Sequence, residues 1–325
     1  MAFVGLQFAS PASACGCGGL AVGDDSEVSV LSERAIVSHA DGIEQIDLLL
    51  DLESTTSDTG LVFPTPTPAT VESGDRADFD ALEREILPRP VYADDWWGSW
   101  SDGDGAGGSG VEVIDQVTLG PLEATTLKAS NSKGLTSWLK KNDYKLSANA
   151  TKYLDYYVKK KWSFVAVKLD GSTTLTGALD PLRITFETEK VVYPMRLSAA
   201  ASTPQALRLY VLGDSRVDVV QDTAAGAPLN AARATVWAGP VDDPALAKRG
   251  SFLTVVDLEW EQPRVQISTD IAIVESPSTD TIIPTVQVIR PIGVLGVPVG
   301  VLVVGWAVVG LLLLFGALVA RTRTR

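Results

Sequence analysis

Two different spacings of apolar residues divide this chain. Between residues 45 and 53 apolar residues occupy every second position, so that Ile46, Leu48, Leu50 and Leu52 fall on one face. This period of two predicts a β-strand with one buried face. Residues 292–320 instead contain no charged residue and no Asn, Gln, Ser or Thr. The run is longer than the roughly 20 residues that cross a bilayer as a helix, and it predicts a transmembrane helix.

Most of the remaining pattern is of the strand type, interrupted by helical segments. Helices are predicted at 75–87, 134–141 and 150–160, where apolar residues recur at spacings of three and four. Asp41-Gly42 is typical of a two-residue hairpin turn. The pattern predicts an α+β fold, mostly antiparallel β with about three short helices.

The predicted boundaries follow the same patterns. They are a signal peptide at 1–14, an extracytoplasmic α+β domain at 22–275, a proline-punctuated stalk at 276–291, the transmembrane helix at 292–320 and an arginine tail at 321–325. The stretch 93–110, rich in Gly, Asp and Trp, is predicted to be a loop and is a candidate boundary inside the domain. The first segment lacks a positively charged start, so either the signal is truncated or Met1 is not the true start. Cleavage after Ala14 and lipidation of Cys15 are both open.

The charge distribution predicts the orientation of the chain in the membrane and argues against one class of partner. Three arginines follow the apolar run and only Arg290 lies close before it, so we expect a single-pass protein of the cell membrane with a cytoplasmic tail. The net charge of −13 argues against non-specific nucleic-acid binding. Ten of the twelve lysines lie in residues 117–170. Four of them are candidates for a basic face that binds an anionic envelope polymer, with pairing to the acidic segment 22–116 as the alternative: Lys140, Lys141, Lys159 and Lys160.

Candidate catalytic chemistry is sparse. The chain has one His and two Cys, and it contains none of the common nucleophile, metalloprotease or nucleotide-binding motifs, so we predict no catalytic residue. Four aspartates are candidate ligands of a weak calcium site: Asp94, Asp95, Asp102 and Asp104. Ala106 and Val113 occupy two positions where a calcium loop needs ligands, and no other cofactor is expected.

Three tryptophans lie beside these aspartates. Trp96, Trp97 and Trp100 either pack back on the core or form a binding surface for a sugar or a protein, because exposed aromatic residues tend to mark contacts.

Five ordered segments resemble one bacterial family, the domain of unknown function numbered 2330. They are Gly60–Pro66, Leu135–Tyr144, Trp162–Leu169, Val192–Ser198 and Leu209–Arg216, and the early Cys15-Gly16-Cys17-Gly18-Gly19 fits as well. Asp143 stands where Gly is usual in the second segment. The resemblance implies a secreted or membrane-anchored bacterial protein, and it transfers no functional residue because the family has no known activity.

These observations favour a binding or envelope-associated structural module without catalytic activity, held in the bilayer by its C-terminal helix. Its expected partners are the lipid bilayer and a cell-envelope polymer or protein. The alternative is a carboxylate-based, glycosidase-like envelope hydrolase, whose mechanism depends on the separation of two carboxylates.

Overall fold

The described part of the chain forms two compact units. A computed structural model describes residues 19–21, 28–54, 58–96, 123–142, 144, 148–170, 176–178, 180–201, 203–294 and 297–323. The larger unit is built from residues 1–87 and 117–283, and the smaller unit from 88–116 and 284–325. The predicted signal peptide and the two cysteines that follow it lie outside the described residues, as do Thr324 and Arg325 of the predicted tail.

The elements are mostly strands. In chain order the strands are β1 (Gly19–Ala21), β2 (Val28–Ala40), β3 (Ile43–Ser54), β4 (Asp58–Thr65), β5 (Thr70–Ser73), β6 (Arg89–Asp95), β7 (Glu123–Lys128), β8 (Ser163–Asp170), β9 (Thr176–Ala178), β10 (Leu182–Glu187), β11 (Val192–Tyr193), β12 (Gln205–Gly213), β13 (Val217–Gln221), β14 (Ala232–Pro240), β15 (Phe252–Trp260), β16 (Ile271–Glu275), β17 (Thr285–Pro291), β18 (Gly293–Val294) and β19 (Val297–Pro298). The α-helices are α1 (Arg76–Glu85), α2 (Ser132–Lys141), α3 (Ala148–Lys159), α4 (Pro263–Gln266) and α5 (Val299–Arg323). Two 3-10 turns lie at Arg196–Ala200 and Leu246–Lys248.

Three sheets form the larger unit. An eight-stranded sheet has the order β14-β15-β12-β2-β3-β10-β5, with β9 paired to part of β3. A four-stranded sheet has the order β1-β4-β8-β7, and a three-stranded sheet the order β11-β16-β13. Within them β2 and β12 pair in parallel and the other described pairs are antiparallel. The predicted α+β class is confirmed.

The hairpin between β2 and β3 turns where the sequence predicts. Ala40 pairs with Ile43, which leaves Asp41 and Gly42 as the two turn residues. Their φ angles are +53° and +77°. Two successive positive φ angles are the geometry of a type I′ turn, which matches the twist of the strands it joins and explains the Asp-Gly sequence.

The main core lies between the eight-stranded sheet and the two smaller sheets. Alternate residues of β3 (Ile46, Leu48, Leu50) belong to it together with Phe63 of β4 and Ile271 of β16. The period-two pattern therefore predicted this buried face correctly, because each sheet turns its apolar positions toward the other. The opposite face of β3 is buried too, since Asp47 and Leu49 are 0% and 1% exposed.

Helix α1 covers the opposite face of the eight-stranded sheet. Asp75 caps it by accepting a hydrogen bond from the backbone N–H of Ala77, at 2.8 Å. Phe79 and Leu82 are buried on one side of the helix and belong to a cluster with Ile36 of β2. The helix predicted at 75–87 is confirmed, and it stops before Pro88, which is disfavoured inside a helix.

Helices α2 and α3 pack on the outer face of the four-stranded sheet. Leu139 and Tyr157 are buried in a cluster with Phe164 of β8. Asn131 caps α2 by accepting a hydrogen bond from the N–H of Gly134, at 2.8 Å. Both helices begin two residues before the predicted starts at 134 and 150.

The smaller unit differs from the predicted stalk. β17 pairs in parallel with β6, a strand that the sequence pattern does not predict and that overlaps the proposed loop at 93–110. Helix α5 starts at Val299, after the short β18–β19 pair, rather than at residue 292. Pro298 lies directly before it, and proline has no N–H to donate to a preceding turn. The window Val299–Gly316 has a mean hydropathy of 2.6 and is long and apolar enough to cross a membrane.

Candidate functional site

The candidate site is an open cleft of about 700 Å³ in the larger unit, called here the Lys160 cleft. Its walls come from the β2–β3 turn, the segment after β4, the end of α3, the loop between β10 and β11, and Asp222 after β13. Cavities of this size accept drug-sized or short oligomeric ligands.

The end of α3 places two of the cleft residues. Lys161 has φ +60°, and its N–H donates to the carbonyl of Val158 at 3.0 Å. The N–H of Trp162 donates to the carbonyl of Tyr157 at 3.0 Å. This pair of bonds is a Schellman motif, which reverses the chain at a helix end. The reversal brings Lys160 and Trp162 to the same wall.

The loop after β10 forms the opposite rim and is tied to two neighbouring segments. Thr67 donates its hydroxyl to the carbonyl of Glu187 at 2.7 Å. The N–H of Thr188 donates to the carbonyl of Gly42 at 2.8 Å. His39 Nε2 lies 2.9 Å from the carbonyl oxygen of Thr188. The single His of the chain thus contacts the rim and is not among the described residues that line the cleft.

All three N–H donors of the Lys160 ammonium are bonded to groups of the protein itself. Its ammonium donates to Asp222 Oδ2 at 2.7 Å, to Tyr156 Oη at 3.0 Å and to Asp270 Oδ2 at 3.2 Å. It also lies 4.7 Å from the ring centres of Tyr156 and Trp162. An ammonium has three N–H donors, so all of them are in use.

Asp270 is the centre of this network and is fully buried. Its Oδ1 accepts from the Tyr157 hydroxyl at 2.6 Å and from the backbone N–H groups of Met195 and Arg196 at 3.0 and 3.1 Å. A buried carboxylate needs several donors to offset its loss of hydration. The network therefore joins α3, the 3-10 turn after β11 and the start of β16 behind the cleft.

The electrostatics of the network keep Lys160 charged. Burial alone lowers the pKa of Lys160, but the hydrogen bonds to Asp222 and Tyr156 and the charge of Asp270 outweigh it and raise the pKa above its ordinary value. Burial, followed by the charge of Asp270, raises the pKa of the Tyr157 hydroxyl. A permanently protonated lysine has no lone pair, so it cannot act as a nucleophile or general base at neutral pH.

Charged groups that face the cleft are mostly acidic. Among the residues that the structure describes, four carboxylates and two ammonium groups line it: Asp41, Glu187, Glu189 and Asp222 against Lys160 and Lys190. Glu187, Glu189 and Lys190 are exposed at the rim. Because Lys160 is neutralised by Asp222 and Asp270, the cleft presents a net negative charge to a ligand.

The structure separates the four lysines of the predicted basic face into three that are exposed and one that is half-buried. Lys140, Lys141 and Lys159 are exposed on α2 and α3, whereas Lys160 is half-buried in the network. Binding of an anionic polymer to a basic face stays a prediction, and it now concerns the three exposed lysines.

Of the predicted tryptophan and calcium residues, Asp94, Asp95 and Trp96 are described, and they belong to the smaller unit. Trp96 is 54% exposed and Asp94 is exposed at the end of β6. The side chain of Asp95, and all of Trp97, Trp100, Asp102 and Asp104, lie outside the description. Among the described residues no group of three or more His, Cys, Asp and Glu side chains is placed to hold a metal ion.

A family of bacterial proteins matches most of the chain. Residues 11–274 match the family described as "Uncharacterized protein conserved in bacteria (DUF2330)". The chain belongs to the DUF2330 family. No curated protein and no solved structure matches it.

Three segments that resemble the DUF2330 family meet at the Lys160 cleft. Pro66, Trp162 and Val192 each belong to one of them and line the cleft. A second cavity of about 640 Å³ lies beside Arg208 and Asp257, which form a two-pronged ion pair at 2.6 and 2.8 Å. None of the described residues that line it belongs to those three segments, so the Lys160 cleft is the stronger candidate.

Sequence reasoning misses most residues of the Lys160 cleft. The sequence pattern singles out neither Asp222 nor Asp270, and it predicts one continuous strand at 265–274. The structure has the helical turn α4 there, followed by β16 from Ile271. Pro263 at the start of α4 is the available signal, because proline is favoured in the first helical turn.

Proposed function

We propose that this DUF2330 protein is a membrane-anchored extracytoplasmic binding module without catalytic activity. Helix α5 anchors it, and the Lys160 cleft takes a polar envelope ligand that carries positive charge. The observation that carries the proposal is the cleft itself, a cavity of about 700 Å³ whose described lining holds more carboxylates than ammonium groups.

The hydrogen bonds that Lys160 makes within the protein support this choice of ligand. An anionic group in the cleft would have to displace Asp222 or Asp270 from the ammonium, and each is held at hydrogen-bond distance. A cationic group meets the exposed carboxylates of Glu187 and Glu189 with no such competition. Complementary charge at a rim raises the association rate and sets specificity.

Peptides of opposite charge test the proposal. Full-length protein in detergent micelles is titrated with a trilysine peptide and with a triglutamate peptide, and binding is followed calorimetrically. We expect saturable binding of trilysine that weakens with added salt, because rim charges are screened. The Glu187→Gln, Glu189→Gln double variant should lose about fivefold in affinity, or roughly 1 kcal/mol.

A matched charge change serves as the control. Glu72→Gln removes an exposed carboxylate from β5, outside the cleft lining, and should leave the affinity unchanged. Equal affinity for the two peptides, or an unaltered trilysine affinity in the double variant, contradicts the proposed cleft.

A further inference from the structure

The smaller unit holds a half-exposed tryptophan at the start of α5. The backbone carbonyl of Trp96 accepts a hydrogen bond from the N–H of Gly300 at 2.6 Å. Gly300 lies in the first turn of α5, where N–H groups have no partner within the helix. The Trp96 side chain remains 54% exposed. The bond fixes an aromatic residue at the N-terminal end of the apolar helix.

A tyrosine and an arginine lie on one face of the β6–β17 pair that leads to this point. The guanidinium of Arg290 stacks on the ring of Tyr92, 3.4 Å from its centre. Tyr92 pairs with Val288 and Arg290 pairs with Asp94, and residues two apart share a strand face. Tyr92 is 52% exposed. The aromatic ring and the cation are therefore both available at the surface of this unit.

Apolar side chains around these residues are exposed as well. Six of them belong to the strands of the smaller unit: Val91, Val286, Val288, Ile289, Val294 and Val297. Val286 and Val288 share the strand face of Tyr92 and Arg290, whereas Val91 and Ile289 lie on the other face. Exposed apolar surface of this kind marks a contact with a protein or a membrane. Its continuity with α5, through the Trp96–Gly300 hydrogen bond, favours the membrane.

We propose that Trp96, Tyr92 and Arg290 form an interfacial anchor that rests in the phospholipid headgroup layer of the bilayer crossed by α5. The inference depends on the membrane anchoring proposed above and adds a second contact, in which Tyr92 and Trp96 are distant from α5 in the sequence. Trp and Tyr are enriched at membrane interfaces because their rings favour the acyl boundary and their polar atoms favour water and headgroups. Arg290 supplies a guanidinium that matches a lipid phosphate.

The anchor is tested by the fluorescence of single tryptophans. Full-length protein is reconstituted in vesicles of phosphatidylcholine and phosphatidylglycerol, and the emission of Trp96→Phe is subtracted from that of the wild type. We expect the difference emission to lose more than half of its intensity when the lipids are brominated near the headgroup, and to resist iodide in the water. Trp306→Phe reports on α5 itself, and Trp138→Phe reports on a half-buried tryptophan of the larger unit.

The outcomes separate the anchor from the membrane span. Quenching of the Trp306 fluorescence by lipids brominated deep in the acyl chains supports the membrane span. If these lipids leave the Trp306 fluorescence unchanged, both the span and the anchor are overturned. If Trp306 is quenched by lipid while Trp96 is quenched by iodide, only the anchor is overturned. Equal lipid quenching of Trp96 and Trp138 overturns the assignment of the contact to the smaller unit.

Discussion

At the scale of single residues, Glu44 is a carboxyl group placed between apolar sheets. It is fully buried on β3, and its Oε2 accepts a hydrogen bond from the N–H of Val192 at 3.1 Å. Within the described part of the chain its Oε1 has no hydrogen-bond partner. Burial raises the pKa of Glu44 well above its ordinary value of 4.5, and the bond from Val192 lowers the pKa only in part.

The raised pKa of Glu44 predicts a pH dependence of stability. Above pH 4.5 the unfolded chain releases this proton while the folded protein keeps it. Folding then takes up a proton, so the contribution to stability falls as pH rises from 4.5 toward the raised pKa. Glu44→Gln cannot titrate, and its stability relative to the wild type should increase with pH by at most about 1.4 kcal/mol per unit.

Urea unfolding at about pH 5 and about pH 8 measures this effect. The exposed Glu72→Gln makes the same chemical change and should follow the wild type at both pH values. Identical pH slopes for Glu44→Gln and the wild type would show that burial does not hold the proton on Glu44.

Lys160 shows what single residues of the sequence could reveal about the site. Its position in a lysine-rich region predicts an exposed cation, and the structure does place it on the cleft. Its partners Asp222 and Asp270 are 62 and 110 residues away, however, and no local pattern indicates such distances. The lysine-rich composition is enough to single out Lys160 as a candidate. The neutralisation of its charge depends on tertiary contacts, which the composition does not indicate.

At the scale of elements, the end of α3 has the geometry of a glycine site but carries lysine. Lys161 occupies the left-handed residue of the Schellman motif at φ +60°. A left-handed conformation costs an L-residue with a side chain about 1–2 kcal/mol, and glycine avoids this cost. The turn that shapes the cleft wall is therefore held by packing against a local preference.

Substitution of Lys161 by glycine should stabilise the protein. We expect Lys161→Gly to raise the free energy of unfolding by about 1 kcal/mol, because the new residue adopts the required φ without strain. Lys159→Gly, two residues earlier in the last turn of α3, should lower it by about 1 kcal/mol. Urea denaturation of the two variants gives the opposite signs directly, and a loss of stability in both would rule out strain at Lys161.

Elements with a buried face were predictable, and those without one were not. Helix α1 and the β2–β3 hairpin follow from apolar spacing, a capping aspartate and an Asp-Gly turn. The β6–β17 pair joins segments nearly two hundred residues apart, and its valines are exposed. Neither apolar alternation nor sequence proximity indicates such a pairing, so the sequence pattern predicts a loop and a stalk there.

At the scale of the whole molecule, the two units divide the chemistry of the protein. The larger unit holds the main core, its sheets and the net acidic cleft. The smaller unit carries the apolar helix together with Tyr92, Trp96 and Arg290. The alternation of apolar residues predicted strands of the larger unit, and the apolar run predicted the helix of the smaller one. The residues that match the DUF2330 family, 11–274, fall mainly in the larger unit.

The orientation of the whole molecule is the remaining prediction. Arginines at the C-terminal end of α5 and just after it favour a cytoplasmic tail and an outer position for the larger unit, because positively charged flanks stay inside. In a background with Cys15→Ser and Cys17→Ser, Lys248→Cys should be labelled on intact cells by a membrane-impermeant maleimide, since Lys248 is exposed in the larger unit. Arg325→Cys should be labelled only after the cells are opened. Labelling of Arg325→Cys on intact cells, with Lys248→Cys protected, would place the Lys160 cleft in the cytoplasm and exclude an envelope ligand.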